Sequence, residues 1–398
     1  MTFDHLLANA PRDTQTTAIR EILELVGRPG VISLAGGIPG EESFPMEILG
    51  ELYKEVVEKY RTRAFQYDVT EGFLPLRRAL VPLLESREIK VGAKEIHISS
   101  GAQGLLNAAA RLLLSPGDPI ALEAPTYLGA LAAFSPYSPE YICLKSDDQG
   151  VIPASLERAL KTHAIKLIYL VPTFQNPTGS CLPLERRREI AHILKAKNAL
   201  LIEDDPYGEL RYQGQALPPI KALAPDQVIY TSTFSKILAP GLRVGFYAAP
   251  RGIRQWLIRI KQGVDLHSST LGQALAAEYL SQGFFQAHLP KILSFYAPRK
   301  ATLERALGEK LPQHFTISPT RGGMFLWVTG PETFDAKALY HRAIKAGVSY
   351  VPGCFFHPHP AQGLNSLRLN FTTENKKTLK EGAARLAQVI GSAHPPGE

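Results

Sequence analysis

Four short stretches of this chain place reactive side chains directly after apolar segments. Residues 228–231 lead into Thr233-Phe234-Ser235-Lys236 and then Pro240-Gly241-Leu242-Arg243. Residues 199–203 lead into Asp204, with Tyr207 three positions on, and 167–171 into Asn176-Pro177-Thr178-Gly179. Residues 96–99 lead into Ser100-Gly101-Ala102-Gln103, where a helical stretch opens. Small residues at a helix start bring backbone N–H groups and the positive end of the helix dipole up to an anion. The set comprises an anion nest, an amide, a carboxylate, a phenol, hydroxyls, a lysine and an arginine. A lysine with cationic or desolvating neighbours can serve as a nucleophile. A carboxylate at the far side of a ring can hold a heteroaromatic nitrogen protonated, and the nest with Arg243 can hold a phosphate.

The elements that position these groups follow from periodicity. From about residue 95, apolar runs at 96–99, 120–123, 141–145, 167–171, 199–203, 228–231 and 244–248 alternate with helical stretches such as 105–114, 184–195 and 255–263. Such alternation implies an α/β fold with a mostly parallel sheet between helices, and in open sheets of this kind ligands sit beyond the carboxyl ends of the strands. At the amino end, Ile19, Ile22, Leu23 and Val26 form an amphipathic helix ended by Gly27 and Pro29-Gly30, followed by an extended piece at 31–34. After about residue 290 come helix and further strands at 315–318, 325–328 and 366–370. The expected organisation is a large domain over 45–290 and a smaller α+β domain built from 1–44 and 291–398.

Composition narrows the function. The 398 residues are 45% hydrophobic and 20% charged, enough for a large core and against wholesale disorder. The formal net charge of +7 is not concentrated: Arg186-Arg187-Arg188 and Lys376-Lys377 are short runs on helices, which argues against nucleic-acid binding. Three scattered cysteines, Cys143, Cys181 and Cys354, argue against a disulfide framework or a zinc site. With no secretory signal and no apolar stretch long enough for a bilayer, a cytoplasmic, non-membrane protein is expected.

Taken singly, each motif is ordinary: a helix cap, a turn, a loop carboxylate, a surface lysine. Jointly, in order and at strand ends, they fit pyridoxal phosphate held as a lysine Schiff base with a carboxylate facing its pyridinium. With Gln66-Tyr67…Thr70-Glu71-Gly72, Ala124-Pro125-Thr126-Tyr127, Gln175-Asn176-Pro177-Thr178-Gly179, Glu203-Asp204-Asp205-Pro206-Tyr207, Gly322-Gly323-Met324-Phe325 and Leu367-Arg368-Leu369, the chain resembles the fold-type I, class I/II pyridoxal phosphate aminotransferases. Within them it is most similar to the branch of α-aminoadipate, kynurenine and aromatic aminotransferases. The resemblance implies a fold with a seven-stranded, mostly parallel sheet plus a smaller α+β domain. It makes Lys236 the Schiff-base lysine and proton carrier, Asp204 the partner of the ring nitrogen, Tyr207 and Asn176 the partners of the ring phenolate, and Tyr127 the stacking aromatic. Gly101, Ala102, Gln103, Thr233, Ser235 and Arg243 would hold the phosphate, and Tyr67 would reach the phosphate of a partner subunit. Arg368 would clamp the substrate α-carboxylate, a geometry suited to a planar guanidinium. Asn176 and Tyr67 would also border the substrate, and Gly36 and Gly37 would let the amino-terminal segment close over it.

Two departures stand out: Ala102 replaces a hydroxyl residue of many relatives, and Thr233 replaces a common serine. Arg20, with Thr17 one turn earlier, would meet a distal carboxylate, while the stretch Lys261 to His267 lacks the partner-subunit arginine of aspartate-specific relatives. The implied reaction is ping-pong transfer from 2-aminoadipate, aromatic or related amino acids to 2-oxoglutarate by a homodimer with active sites at its interface. Two alternatives are another reaction on the same cofactor (a β-lyase or a decarboxylase) and a ligand-sensing regulator. The latter is disfavoured because the fold begins almost at residue 1, ahead of which a DNA-binding domain is expected.

Overall fold

A computed structural model of the protein describes residues 30–359 and 361–393. The expected helix at 16–26, with Thr17 and Arg20, lies outside them. The strands are β1 (Ile32–Ser33), β2 (Ile96–Ser99), β3 (Pro119–Glu123), β4 (Glu140–Leu144), a hairpin β5 (Ser146–Asp147) and β6 (Gly150–Val151), β7 (Leu167–Leu170), β8 (Leu201–Asp204), β9 (Val228–Thr233), β10 (Gly245–Ala248), β11 (Thr316–Ile317), β12 (Phe325–Thr329), β13 (Val348–Ser349), β14 (Val351–Pro352) and β15 (Ser366–Asn370).

All seven apolar runs expected as strands join one sheet, in the order β2-β10-β9-β8-β7-β3-β4. Pairing is parallel except for β10, which runs antiparallel to both β2 and β9. The exception matters for chemistry: reversal brings the start of β10 beside the ends of its neighbours, with Gly245 opposite both Ser99 and Thr233. Arg243, two residues before Gly245, therefore stands on the same rim as the groups that follow β2 and β9.

The strands are apolar on both faces because both faces are covered, as parallel sheets require. In β7, Leu167 and Tyr169 join one core with Leu105, Leu122, Phe134 and Ile202, while Ile168 and Leu170 join another with Leu156, Ile190, Leu194 and Leu201. A four-stranded antiparallel sheet, β11-β12-β15-β14, builds the second unit. Its core draws on Ile32 and Leu34 near the amino end, and on Leu379, Leu386 and Ile390 near the carboxyl end. The helix Phe284–Lys310 links the two: Phe285 belongs to a core of the large sheet, and Ile292, Tyr296 and Leu303 to the core of the smaller one. Among the described residues no helix is long and apolar enough to cross a membrane.

Arg187 ties the loop that carries Asn176 to the scaffold. It is wholly buried on the helix Leu184–Lys197, and its guanidinium donates to the Leu182 and Pro172 carbonyls at 2.9 and 3.0 Å and to Thr173 Oγ1 at 2.9 Å. Arg186 beside it is a surface group that pairs with Asp147 at 2.7 Å. Removing a buried charged donor strands its acceptors, so Arg187→Leu should cost about 2–4 kcal/mol, read as a lower urea midpoint, whereas Arg186→Leu should cost under about 1 kcal/mol.

Candidate active site

The carboxyl ends of β2, β7, β8 and β9 and the start of β10 converge on a cavity of about 300 Å³. At one end lies an anion cradle. Ser100 occupies the N-cap position of the helix Gly101–Leu113 but makes no side-chain bond to it. Its hydroxyl instead donates to Asp265 Oδ2 at 2.6 Å, which leaves the first-turn N–H groups to an outside acceptor. Gly101 has φ +71°, and a Cβ there would stand 2.5 Å from an Arg243 guanidinium nitrogen. Glycine thus lets the arginine lie against the nest. Thr233 and Ser235 face each other with their hydroxyl oxygens 2.8 Å apart, and Gln103 reaches across to donate to the Gly129 carbonyl at 2.7 Å.

At the opposite end, Asp204 closes β8. Tyr169 Oη donates to its Oδ2 at 2.8 Å, while the other oxygen, Oδ1, is buried with no hydrogen-bond partner. Burial pushes this carboxyl up to about 7, opposed by the Tyr169 bond and assisted by the neighbouring Asp205 carboxylate. From the side, Asn176 Nδ2 donates to Tyr207 Oη at 3.3 Å and Asn176 Oδ1 accepts from Arg368 at 2.9 Å. Tyr127, at the start of the helix Leu128–Phe134, is pushed up to about 12 by burial and by the Asp204 charge. Tyr207 is raised further, again chiefly by burial. Both phenols are neutral donors at physiological pH.

Lys236 projects into the cavity from the single turn Phe234–Lys236. Its Nζ donates to the Gly37 carbonyl at 3.0 Å. Desolvation, with the Arg368 and Arg243 charges behind it, pushes the amine down to about 8, so about a tenth is neutral and nucleophilic at pH 7, against well under ~0.1% for a solvated lysine. Arg368, on β15, donates one terminal nitrogen to Asn176 and the other to the Ala35 carbonyl at 2.9 Å. Its Nε has no partner. The guanidinium lies over the rings of Phe325 and Phe356, 4.2 and 5.0 Å from their centres, and burial pulls it down to about 10.

Lys236, Asp204, Tyr207, Ala102, Gln103, Tyr127, Asn176, Thr233, Ser235, Arg243, Arg368 and Gly37 all line this one cavity. Gly101 supports it from behind Arg243, and Gly36 is buried one residue before Gly37. Tyr67 does not reach it within the chain: it is 77% exposed, set edge-on to His267 at 5.6 Å, in a separate groove. Arg20 falls outside the described residues. Phe325, at the end of the Gly322-Gly323-Met324-Phe325 motif, completes the site with Tyr169, Phe356 and the Ala35 carbonyl, three groups given no role from the sequence.

These donors suit one kind of guest. The orphaned Asp204 oxygen calls for a proton donor from within the cavity, the cradle at the other end calls for an anion, and an amine of lowered pKa stands between them. That is the site of a pyridoxal phosphate enzyme. The model of the aminotransferase class I and II family matches residues 41–386, and the chain belongs to that family: it is a pyridoxal phosphate-dependent aminotransferase. It is similar to aromatic-amino-acid aminotransferase 1 of Thermococcus litoralis, 43% identical over 94% of this chain and 92% of that one. It is also similar to the 2-aminoadipate transaminase of Thermus thermophilus, 35% identical over 94% of each. Among solved structures, kynurenine aminotransferase of Pyrococcus horikoshii, in complex with pyridoxamine phosphate, superposes with a TM-score of 0.94 at 41% identity over 98% of both chains.

The depressed amine is directly measurable. In cofactor-free protein, labelling of Lys236 by an amine-selective acylating reagent should titrate with a midpoint near 8, against about 10.4 for solvated lysines. Because the Arg368 charge disfavours the ammonium, Arg368→Gln should move that midpoint upward by about 0.5–1 unit.

Proposed function

We propose that the enzyme moves the amino group of 2-aminoadipate, aromatic amino acids or leucine to 2-oxoglutarate by double displacement, as a homodimer. The observation that supports this most directly is the distribution of cations. Of the three cationic side chains lining the cavity, Lys236, Arg243 and Arg368, each has a task in the transfer itself. Among the described lining residues none is left over for a second carboxylate. The wall around Arg368 is apolar and aromatic, with Ile38, Leu128, Tyr127 and Phe325 nearby, which favours flat or aliphatic side chains. The family resemblance gives a distal carboxylate to Arg20, which lies outside the described residues.

When bound, pyridoxal phosphate supplies a carbonyl that condenses with amines and a ring that accepts the electron pair released at the substrate Cα. The chain's own residues supply the rest. Arg243, the nest at Gly101–Gln103 and the hydroxyls of Thr233 and Ser235 would hold the phosphate, with Tyr127 against the ring face and Asp204 keeping the ring nitrogen protonated. Asn176 and Tyr207 would donate to the ring oxygen. Arg368, already oriented by Asn176 and Ala35, would take the substrate α-carboxylate and fix which bond at Cα stands over the ring. The Lys236 amine would carry the proton between Cα and the cofactor, helped by surroundings that lower its proton affinity. The segment at Gly36 and Gly37 would cover the substrate. Tyr67 would complete the phosphate cradle of a second copy: it stands exposed beside Phe65 and Val69, an apolar group that gains from being covered.

A panel of single amino acids mixed with the cofactor-loaded enzyme tests the donor range through the change in cofactor absorbance, with aromatic donors and 2-aminoadipate expected to react fastest. Arg368→Ala should lower kcat/KM for every donor by about 10²–10³-fold, the weight of a charge-assisted bidentate contact. Arg20→Ala should weaken 2-aminoadipate and 2-oxoglutarate far more than phenylalanine. Equal losses for both classes would remove Arg20 from the substrate site.

A further inference from the structure

Tyr169 takes no part in the chemistry assigned above, yet it controls the group on which that chemistry leans. It sits in the middle of β7, wholly buried, with its ring edge-on to Phe134 at 5.7 Å. Strand register explains its reach. Tyr169 lies opposite Ile202 in β8, and Asp204, two residues beyond Ile202, faces the same side of the sheet. Diagonal neighbours across paired strands are within range of a long side chain. The phenol closes that gap with a 2.8 Å bond to Asp204 Oδ2 and leaves Oδ1 as the unpartnered oxygen.

The surroundings give Asp204 little other help. Asp205, next in the chain, adds like charge, although it is itself tied to Arg87 and Tyr230. Tyr127 and Tyr207 are neutral phenols whose own shifts are upward. Glu123, at the end of β3 with its carboxyl on the Val171 N–H, is pushed up to about 8 by burial and so is largely uncharged at neutral pH. A hydrogen bond donated to a carboxylate favours its ionised form, and Tyr169 supplies one from a position no solvent reaches.

We propose that Tyr169 is a positioning residue, which holds Asp204 as a carboxylate with one oxygen turned to the cofactor site and so sets the acid limit of cofactor binding. The proposal rests on the reading of Asp204 as the partner of the ring nitrogen. Its test is the affinity of the cofactor-free enzyme for pyridoxal phosphate as a function of pH. Tyr169→Phe keeps the ring and its packing on Phe134, so the fold should survive, with a thermal midpoint lowered by no more than the loss of one buried hydrogen bond. Its affinity should fall away on the acid side about 1–2 pH units higher than in the parent, the weight of one hydrogen bond to a charged group. In an Asp204→Asn background, where there is no charge left to hold, the same change should shift nothing. An unmoved acid limb in Tyr169→Phe, with Asp204→Asn binding weakly, would overturn the role of Tyr169 alone. Parental affinity and pH profile in Asp204→Asn would overturn the reading of Asp204 as well.

Discussion

Desolvation of the charged groups around one cavity is the constraint on which this structure turns. A lysine, a carboxylate and an arginine are withdrawn from water into one cavity, and burial acts on each in the direction that disfavours its charge. Such a site is costly for an empty protein and favourable for one holding a ligand of matching polarity. Pyridoxal phosphate, with a protonated nitrogen and an electrophilic carbon, answers the carboxylate and the lysine, and a substrate carboxylate would answer Arg368. The two sheets make the arrangement rigid: Asp204 closes β8, Lys236 follows β9 by three residues and Arg368 lies within β15 of the smaller sheet, so their places are set by ladder hydrogen bonds rather than by a mobile loop.

The second unit supplies what the sheet cannot. Arg368 leaves β15 and is held by Asn176 from the large sheet's side and by the Ala35 carbonyl from the amino-terminal segment. The same Asn176 reaches Tyr207. Arg368, Asn176 and Tyr207 thus share one hydrogen-bonded chain across the two units. Lys236 is linked to the amino-terminal segment too, through the Gly37 carbonyl. Anything that displaces this segment is felt at the amine and at the arginine.

Most of this was legible in the sequence because the signals were strong. Strands buried on both faces read as unbroken apolar runs, which is why the seven strands of the large sheet could be placed to within two residues at nearly every end. Reactive residues at strand ends have no reason of packing to be there, so Lys236, Asp204 and Asn176 were visible as a set. Tyr169 was hidden by its context: in Leu-Ile-Tyr-Leu it reads as one more core residue, and only the register of β7 against β8 reveals that its hydroxyl meets Asp204. Phe356 was hidden likewise, since stacking on a guanidinium leaves no trace in spacing, and Phe325 was visible only as the last residue of its motif. The two-residue strands β13 and β14 are too short to show a period. The antiparallel course of β10 was equally invisible, because a buried strand reads the same in either direction.

Covalent attachment of the cofactor to Lys236 underlies every role proposed for the cavity. Borohydride reduction of cofactor-loaded enzyme, followed by peptide mass mapping, fixes the cofactor to whichever amine holds it. A single phosphopyridoxyl label on Lys236, lost in Lys236→Ala, is the expected result. Label on another lysine, or none on protein saturated with pyridoxal phosphate, would contradict it.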